Sequence, residues 1–196
     1  ARLGQAPLPV GEGESRFCLA QVPADLRINE MEFYFPLQSI TGEKLKQCFK
    51  EMGGAFFEEI ASRPLERLTF APMEGFLKGY IDTLFEYNGR FYLLDWKSNH
   101  LGNAWADYAS PRLAGAMAEE YYFLQYHLYA LALDRLLRLR MPDYDYRRHF
   151  GGVFYLFLRG IRGAGHDSGI YYSRPEVEMI DALRELLVKS GAQNRA

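Results

Sequence analysis

The chain has 196 residues, 48% hydrophobic and 15% aromatic, which fits one globular domain with a sizeable core and argues against a disordered segment. Lys and Arg number 23 against 25 Asp and Glu, a net charge of −2 that excludes a protein holding nucleic acid through bulk positive charge. No apolar run approaches the roughly 20 residues that span a bilayer, the start lacks a signal-peptide pattern, and Cys18 and Cys48 have neither metal-ligand spacing nor a disulfide-rich context. A soluble protein of a reducing cytoplasm, with no membrane partner, is expected.

Residues 1–28 read as a linker or N-terminal extension, because ARLGQAPLPVGEGE is rich in Gly, Pro and polar residues and begins with Ala1; the domain proper is expected over 29–196, as a piece of a longer chain. Residues 29–37, NEMEFYFPL, alternate as a strand does, and Pro36 either closes it or places it at an edge. A helix is predicted over 42–59, capped by Thr41 and broken at Gly53-Gly54, although Lys44 stands where a capping box wants Glu or Gln. Strands follow over 73–88 and 90–97, the first bending at a glycine such as Gly75 or Gly79. Residues 103–118 are Ala-rich and predicted helical in pieces, interrupted by Pro111. A long core-facing helix is predicted over 119–140, ended by Pro142. Then come a buried strand over 152–159 and a last helix opened by Pro175 and reaching about residue 189. Strands mixed with helices over both faces give an α/β class with a mixed central sheet.

The most informative stretch is GYIDTLFEYNGRFYLLDWKSN, residues 79–99. Asn88-Gly89 between two runs of aromatic and branched residues is the strongest short-range hairpin signal. If Tyr87 pairs with Arg90, Asp82 lies opposite Asp95, with Cβ atoms roughly 5 Å apart on one face. Lys97, two residues on, points to that face as well. Opposed carboxylates destabilise a sheet unless a partner neutralises them, and a divalent cation with hard oxygen ligands does so. Both faces of the hairpin are apolar beyond the charged end, so these acids stand in an interior strand pair and require a partner or a function. On the long helix Gln125 and Tyr129, four apart, share a face near Tyr121 and Tyr122.

G-x-x-D (Gly79 to Asp82), D-x-K (Asp95-Trp96-Lys97) and Q-x-x-x-Y (Gln125 to Tyr129), in that order on two strands and a helix, resemble the RecB-like nucleases of the PD-(D/E)xK superfamily. The stretches LLDWKSNHLG, LQYHLYALAL and PDYDYRRHFGGVFYLFLRGI extend the resemblance over about residues 30–175. It implies a restriction-endonuclease-like fold with a hairpin active site flanked by helices, and an exodeoxyribonuclease V-type DNA nuclease of a bacterial helicase-nuclease. It implies Mg²⁺ held by Asp82, Asp95 and the backbone carbonyl of Trp96, and Lys97 positioning or helping to deprotonate the attacking water. Gln125 and Tyr129 would contact DNA or brace the site, and the products would be a 5′-phosphate and a 3′-hydroxyl. Lys78, Ser98 and Asn99 are phosphate-contact candidates by position. DNA, the subunits RecC and RecD, and RecA are the implied partners.

The sequence departs from the family at one point. The family carries a histidine ligand on a helix well before the first strand, whereas the histidines here are His100, His127, His149 and His166, so that helix is expected to lie outside this chain, and these 196 residues alone are expected to bind DNA weakly and to show little or no nuclease activity. Glu74 and His127 are the fallback ligands. The alternative function is a docking module that recruits RecA or partner subunits without cutting. Such a module has no need of two opposed carboxylates.

Overall fold

A computed structural model describes residues 3–9, 16–54, 57–68, 73–162 and 166–188. Asn88 and Gly89 both take positive φ, 52° and 72°, the requirement of a two-residue turn whose twist matches its strands. That turn joins β4 (Met73–Tyr87) to β5 (Arg90–Lys97), in the expected register, from Tyr87 opposite Arg90 to Thr83 opposite Leu94. β3 (Arg27–Ile40) lies antiparallel on the far side of β4. β6 (Phe150–Phe157) runs parallel to β5, and β7 (Ile170–Ser173) pairs antiparallel with β6. The order β3-β4-β5-β6-β7 is the mixed sheet the sequence implies. Pro36 takes its edge reading: β3 is the outer strand and continues past Pro36 to Ile40, where a missing N–H is tolerated.

The helices gather on one face. α1 (Gly42–Met52) is capped by Thr41, whose hydroxyl accepts from the Lys44 N–H at 3.4 Å, and α2 (Ser62–Arg67) follows a π-helical turn at Phe57–Ala61. The helix breaks where Gly53-Gly54 announces it, with Gly53 as its cap and Gly54 at φ 60° just beyond, and from Phe57 the chain takes the π-helical turn. α3 (Ser110–Glu119) begins at Pro111 instead of being interrupted by it, since proline suits a first turn. α4 (Tyr122–Arg140) starts after Tyr121 at φ 55°, three residues later than expected. A single turn, α5 (Tyr146–His149), leads into β6, and α6 (Val177–Leu187) closes the described chain. Phe49, Leu65, Met117, Phe123, Leu131 and Ile180 from these helices fill one core against Leu84, Leu93 and Tyr155 of the sheet.

The other face departs from the expectation of helices on both sides. It is covered by residues expected to form a linker: β1 (Pro7–Leu8) and β2 (Phe17–Cys18) pair, and Ala6, Leu8, Phe17, Leu19 and Val22 are buried against Phe85, Tyr92, Leu94 and Phe154. Phe17 stacks on Tyr87 with ring centroids 4.0 Å apart, meets Phe85 edge-on at 5.8 Å and lies tilted against Tyr92 at 5.7 Å. Among the described residues no helix is long and apolar enough to cross a membrane.

Candidate active site

Asp82 stands where the sheet changes its alternation. On β4, Leu77 and Ile81 face the helix core, yet so does Leu84, three residues on instead of two or four, while Phe85 belongs to the opposite core. Across on β3 the switch falls at Glu30, which has φ 53°, between Asn29 opposite Thr83 and Met31 opposite Ile81. A local irregularity of this kind re-aims one side chain. The Asp82 carboxylate thereby leaves the ladder and accepts the Trp96 backbone N–H at 2.9 Å.

Asp95, one step past the Thr83–Leu94 pair, is 5% exposed and shares the helix-side face. Its Oδ2 lies 2.7 Å from the Lys97 Nζ. Lys97 also donates to Gln125 Oε1 at 2.9 Å and sits 3.8 Å from the centroid of the Tyr122 ring and 5.0 Å from that of Tyr155. Gln125 in turn accepts from the Tyr155 hydroxyl at 3.0 Å and donates to the Tyr129 hydroxyl at 2.7 Å. The lysine is held on every side by groups from β5, β6 and α4. Gly79 of the G-x-x-D motif contributes at a distance: a Cβ there would come within 2.6 Å of the Phe33 ring, which packs edge-on to Tyr129 with centroids 5.6 Å apart.

The electrostatics follow from this burial. Desolvation pushes the Asp95 carboxyl above its ordinary range; Lys97 opposes the rise, and the neighbouring Asp82 charge adds to it. Tyr129 is pushed up to about 12 by burial, with Asp95 and Asp82 adding and Gln125 opposing, and the Tyr155 hydroxyl is raised by burial and by the same two carboxylates. Both acids therefore face the same tyrosines. Two carboxylates against one ammonium leave an excess negative charge among hard oxygen donors, a set that fits a small divalent cation. Among the described residues no three His, Cys, Asp or Glu side chains converge, so further ligands have to be backbone, water or substrate oxygens.

The other sequence candidates divide. Ser98 is exposed beside the site with its carbonyl accepting from Arg159 Nε at 3.0 Å, and Asn99 is engaged, its Oδ1 accepting from the Tyr122 hydroxyl at 3.0 Å. Lys78 is not brought to the site: it is exposed beyond the strand switch, paired with Glu32 at 3.0 Å. His127 is a core residue, its Nδ1 2.7 Å from the Phe123 carbonyl oxygen and its ring stacked on Tyr126, and burial lowers its pKa to about 4. The Glu74 side chain lies outside the described residues. Sequence reading missed Tyr155, though a tyrosine within the apolar run 152–158 signals a buried hydroxyl in need of a partner. The role of Tyr122 was visible only as its position one turn before Gln125.

A profile of the PD-(D/E)XK nuclease superfamily matches residues 17–196. The RecBCD enzyme subunit RecB of Escherichia coli K12 is 42% identical over 185 residues, covering 93% of this chain and 15% of that protein. The subunit of the same name from Haemophilus influenzae is 49% identical over 120 residues (61% of this chain, 10% of its own length), and that of Mycobacterium tuberculosis H37Rv is 35% identical over 205 residues (95% and 19%). The chain thus spans less than a fifth of the length of these curated relatives. Its carboxylate pair, its lysine and the match along nearly its whole length lead to one conclusion: the chain belongs to the PD-(D/E)XK nuclease superfamily.

Proposed function

We propose that this chain is the DNA-hydrolysing domain of a RecBCD-type helicase-nuclease, working with Mg²⁺ and the companion subunits RecC and RecD in the bacterial cytoplasm during double-strand break repair and recombination. The observation that carries the reading is Lys97 clamped between the Asp95 carboxylate and Gln125, with Asp82 alongside. The carboxylates of Asp82 and Asp95 and the carbonyl of Trp96 would hold Mg²⁺, which when bound polarises a phosphate oxygen and acidifies water. Lys97 supplies a fixed positive charge where negative charge develops on the phosphoryl group, and its amine is placed to orient the attacking water or help take its proton. Gln125 and Tyr129 fix the lysine, so little reorganisation is needed when the phosphate arrives. A docking module for RecA would leave this buried arrangement without a use.

The test is cleavage of end-labelled DNA by the assembled helicase-nuclease that carries this domain, with Mg²⁺ and with a chelator, and identification of the ends produced. The reading expects Mg²⁺-dependent products bearing 5′-phosphate and 3′-hydroxyl groups, lost in Asp82→Ala. Products that form equally well in chelator, or in Asp82→Ala, overturn it.

A further inference from the structure

β5 and β6 run parallel and end level, Lys97 opposite Phe157, so the segments that follow them emerge side by side at the edge of the active site. Arg159 Nε donates to the Ser98 carbonyl at 3.0 Å, one residue after Lys97. Tyr108, 3% exposed, locks the two segments together: its side chain fills the space over Gly160, where a Cβ would lie 2.5 Å from the Tyr108 Cβ, and its carbonyl accepts from the Gly169 N–H at 2.9 Å. On this anchored rim Trp105 is 51% exposed, with the Arg162 guanidinium 4.9 Å from its ring centroid. Arg159 and Arg162 are exposed, and among the described residues neither has an acidic partner at ion-pair distance; the nearby Asp107 carboxylate is engaged by the Ala104 N–H at 2.9 Å.

We propose that Trp105, Arg162 and Arg159 form a platform for single-stranded DNA entering or leaving the cleavage site, a reading that rests on the proposed nuclease function. A large aromatic surface flanked by cations that have no acidic partner among the described residues matches unstacked bases joined by phosphates, whereas a duplex keeps its base faces hidden. In a chain of net charge −2, such a local patch supplies what bulk charge cannot. Its continuity with Ser98 and Lys97 makes the platform part of the path of the strand.

The chain has two tryptophans, Trp96 and Trp105, which gives a direct probe. In a Trp96→Phe background, in chelator so that nothing is cut, an unlabelled oligothymidylate should quench Trp105 fluorescence. By anisotropy of a labelled oligothymidylate, Trp105→Ala should weaken binding about tenfold and Trp105→Phe much less. Arg162→Gln should lower the dependence of log affinity on log salt by about one. Affinity unchanged in Trp105→Ala, an equal loss in Trp105→Phe, or an equal loss toward blunt duplex DNA overturns the platform. If these binding results hold and the assembled helicase-nuclease that carries this domain does not cut DNA on adding Mg²⁺, the nuclease reading fails and the platform stands; Asp82-dependent cleavage by that assembly with unchanged Trp105→Ala binding fails the platform alone.

Discussion

Replacing Tyr122 tests whether the position of Lys97, and not merely its charge, sustains cleavage. The ammonium lies 3.8 Å from the Tyr122 ring centroid, and its side chain is 11% exposed, so this cation–π contact is largely desolvated and worth about 2 kcal/mol. Tyr122→Leu removes the ring and leaves Tyr155, at 5.0 Å, as the aromatic partner. If that stabilisation is lost in the transition state, kcat falls about 30-fold. Tyr122→Phe keeps the ring and gives up only the hydrogen bond to Asn99, a loss of about 1 kcal/mol that translates into at most about fivefold. Single-turnover cleavage of labelled DNA at saturating Mg²⁺ separates the two, with a urea midpoint for each variant to show that the fold survives. Equal losses in the Phe and Leu variants, or a Leu variant at the wild-type rate, would refute the role given to the ring.

Three further outcomes follow from the same geometry and packing. Gln125→Leu strips partners from Lys97, Tyr155 and Tyr129 together, so chemical denaturation should show a loss of about 2 kcal/mol or more, and a change below ~0.5 kcal/mol would contradict the network. Gly89→Ala forces a side chain into φ 72° at the hairpin turn and should destabilise by about 1–2 kcal/mol in the same assay; no effect would mean the turn is not held as described. His127 stays neutral in the fold down to about pH 4, whereas the unfolded chain takes up a proton near 6.5; stability should therefore fall by up to about 3 kcal/mol as pH drops through that window, and His127→Gln, followed by urea midpoints between pH 7 and 4, should flatten the fall.

The hairpin was legible because its signal is local: Asn88-Gly89 dictates the turn, and the turn dictates the register, which holds from Tyr87 opposite Arg90 to Thr83 opposite Leu94 and stops one step short of the expected Asp82–Asp95 pair. Gln125 and Tyr129 were legible from helical spacing. The switch at Asp82 was not, because it arises between strands, from Glu30 taking a positive φ that no glutamate announces. The covered second face was hidden for a compositional reason: Gly and Pro made residues 1–28 read as linker, while Leu8 and Phe17 bury themselves only once the sheet exists to receive them. β7 is four residues with three exposed in part, too short to show an alternation, and Lys78 misled because position in sequence does not fix the face of an irregular strand.

The most direct test of the central claim is the single-turnover rate of DNA cleavage in Mg²⁺ for Asp95→Ala and Lys97→Ala beside the wild type. On the proposed reading Asp95, Lys97 and Asp82 serve charge stabilisation at the reacting phosphate, so both variants, placed in the assembled helicase-nuclease, should lose at least about a thousandfold in rate while keeping the native far-ultraviolet circular dichroism spectrum. A folded variant of either kind that still cuts DNA within about tenfold of the wild-type rate would contradict the assignment of this site.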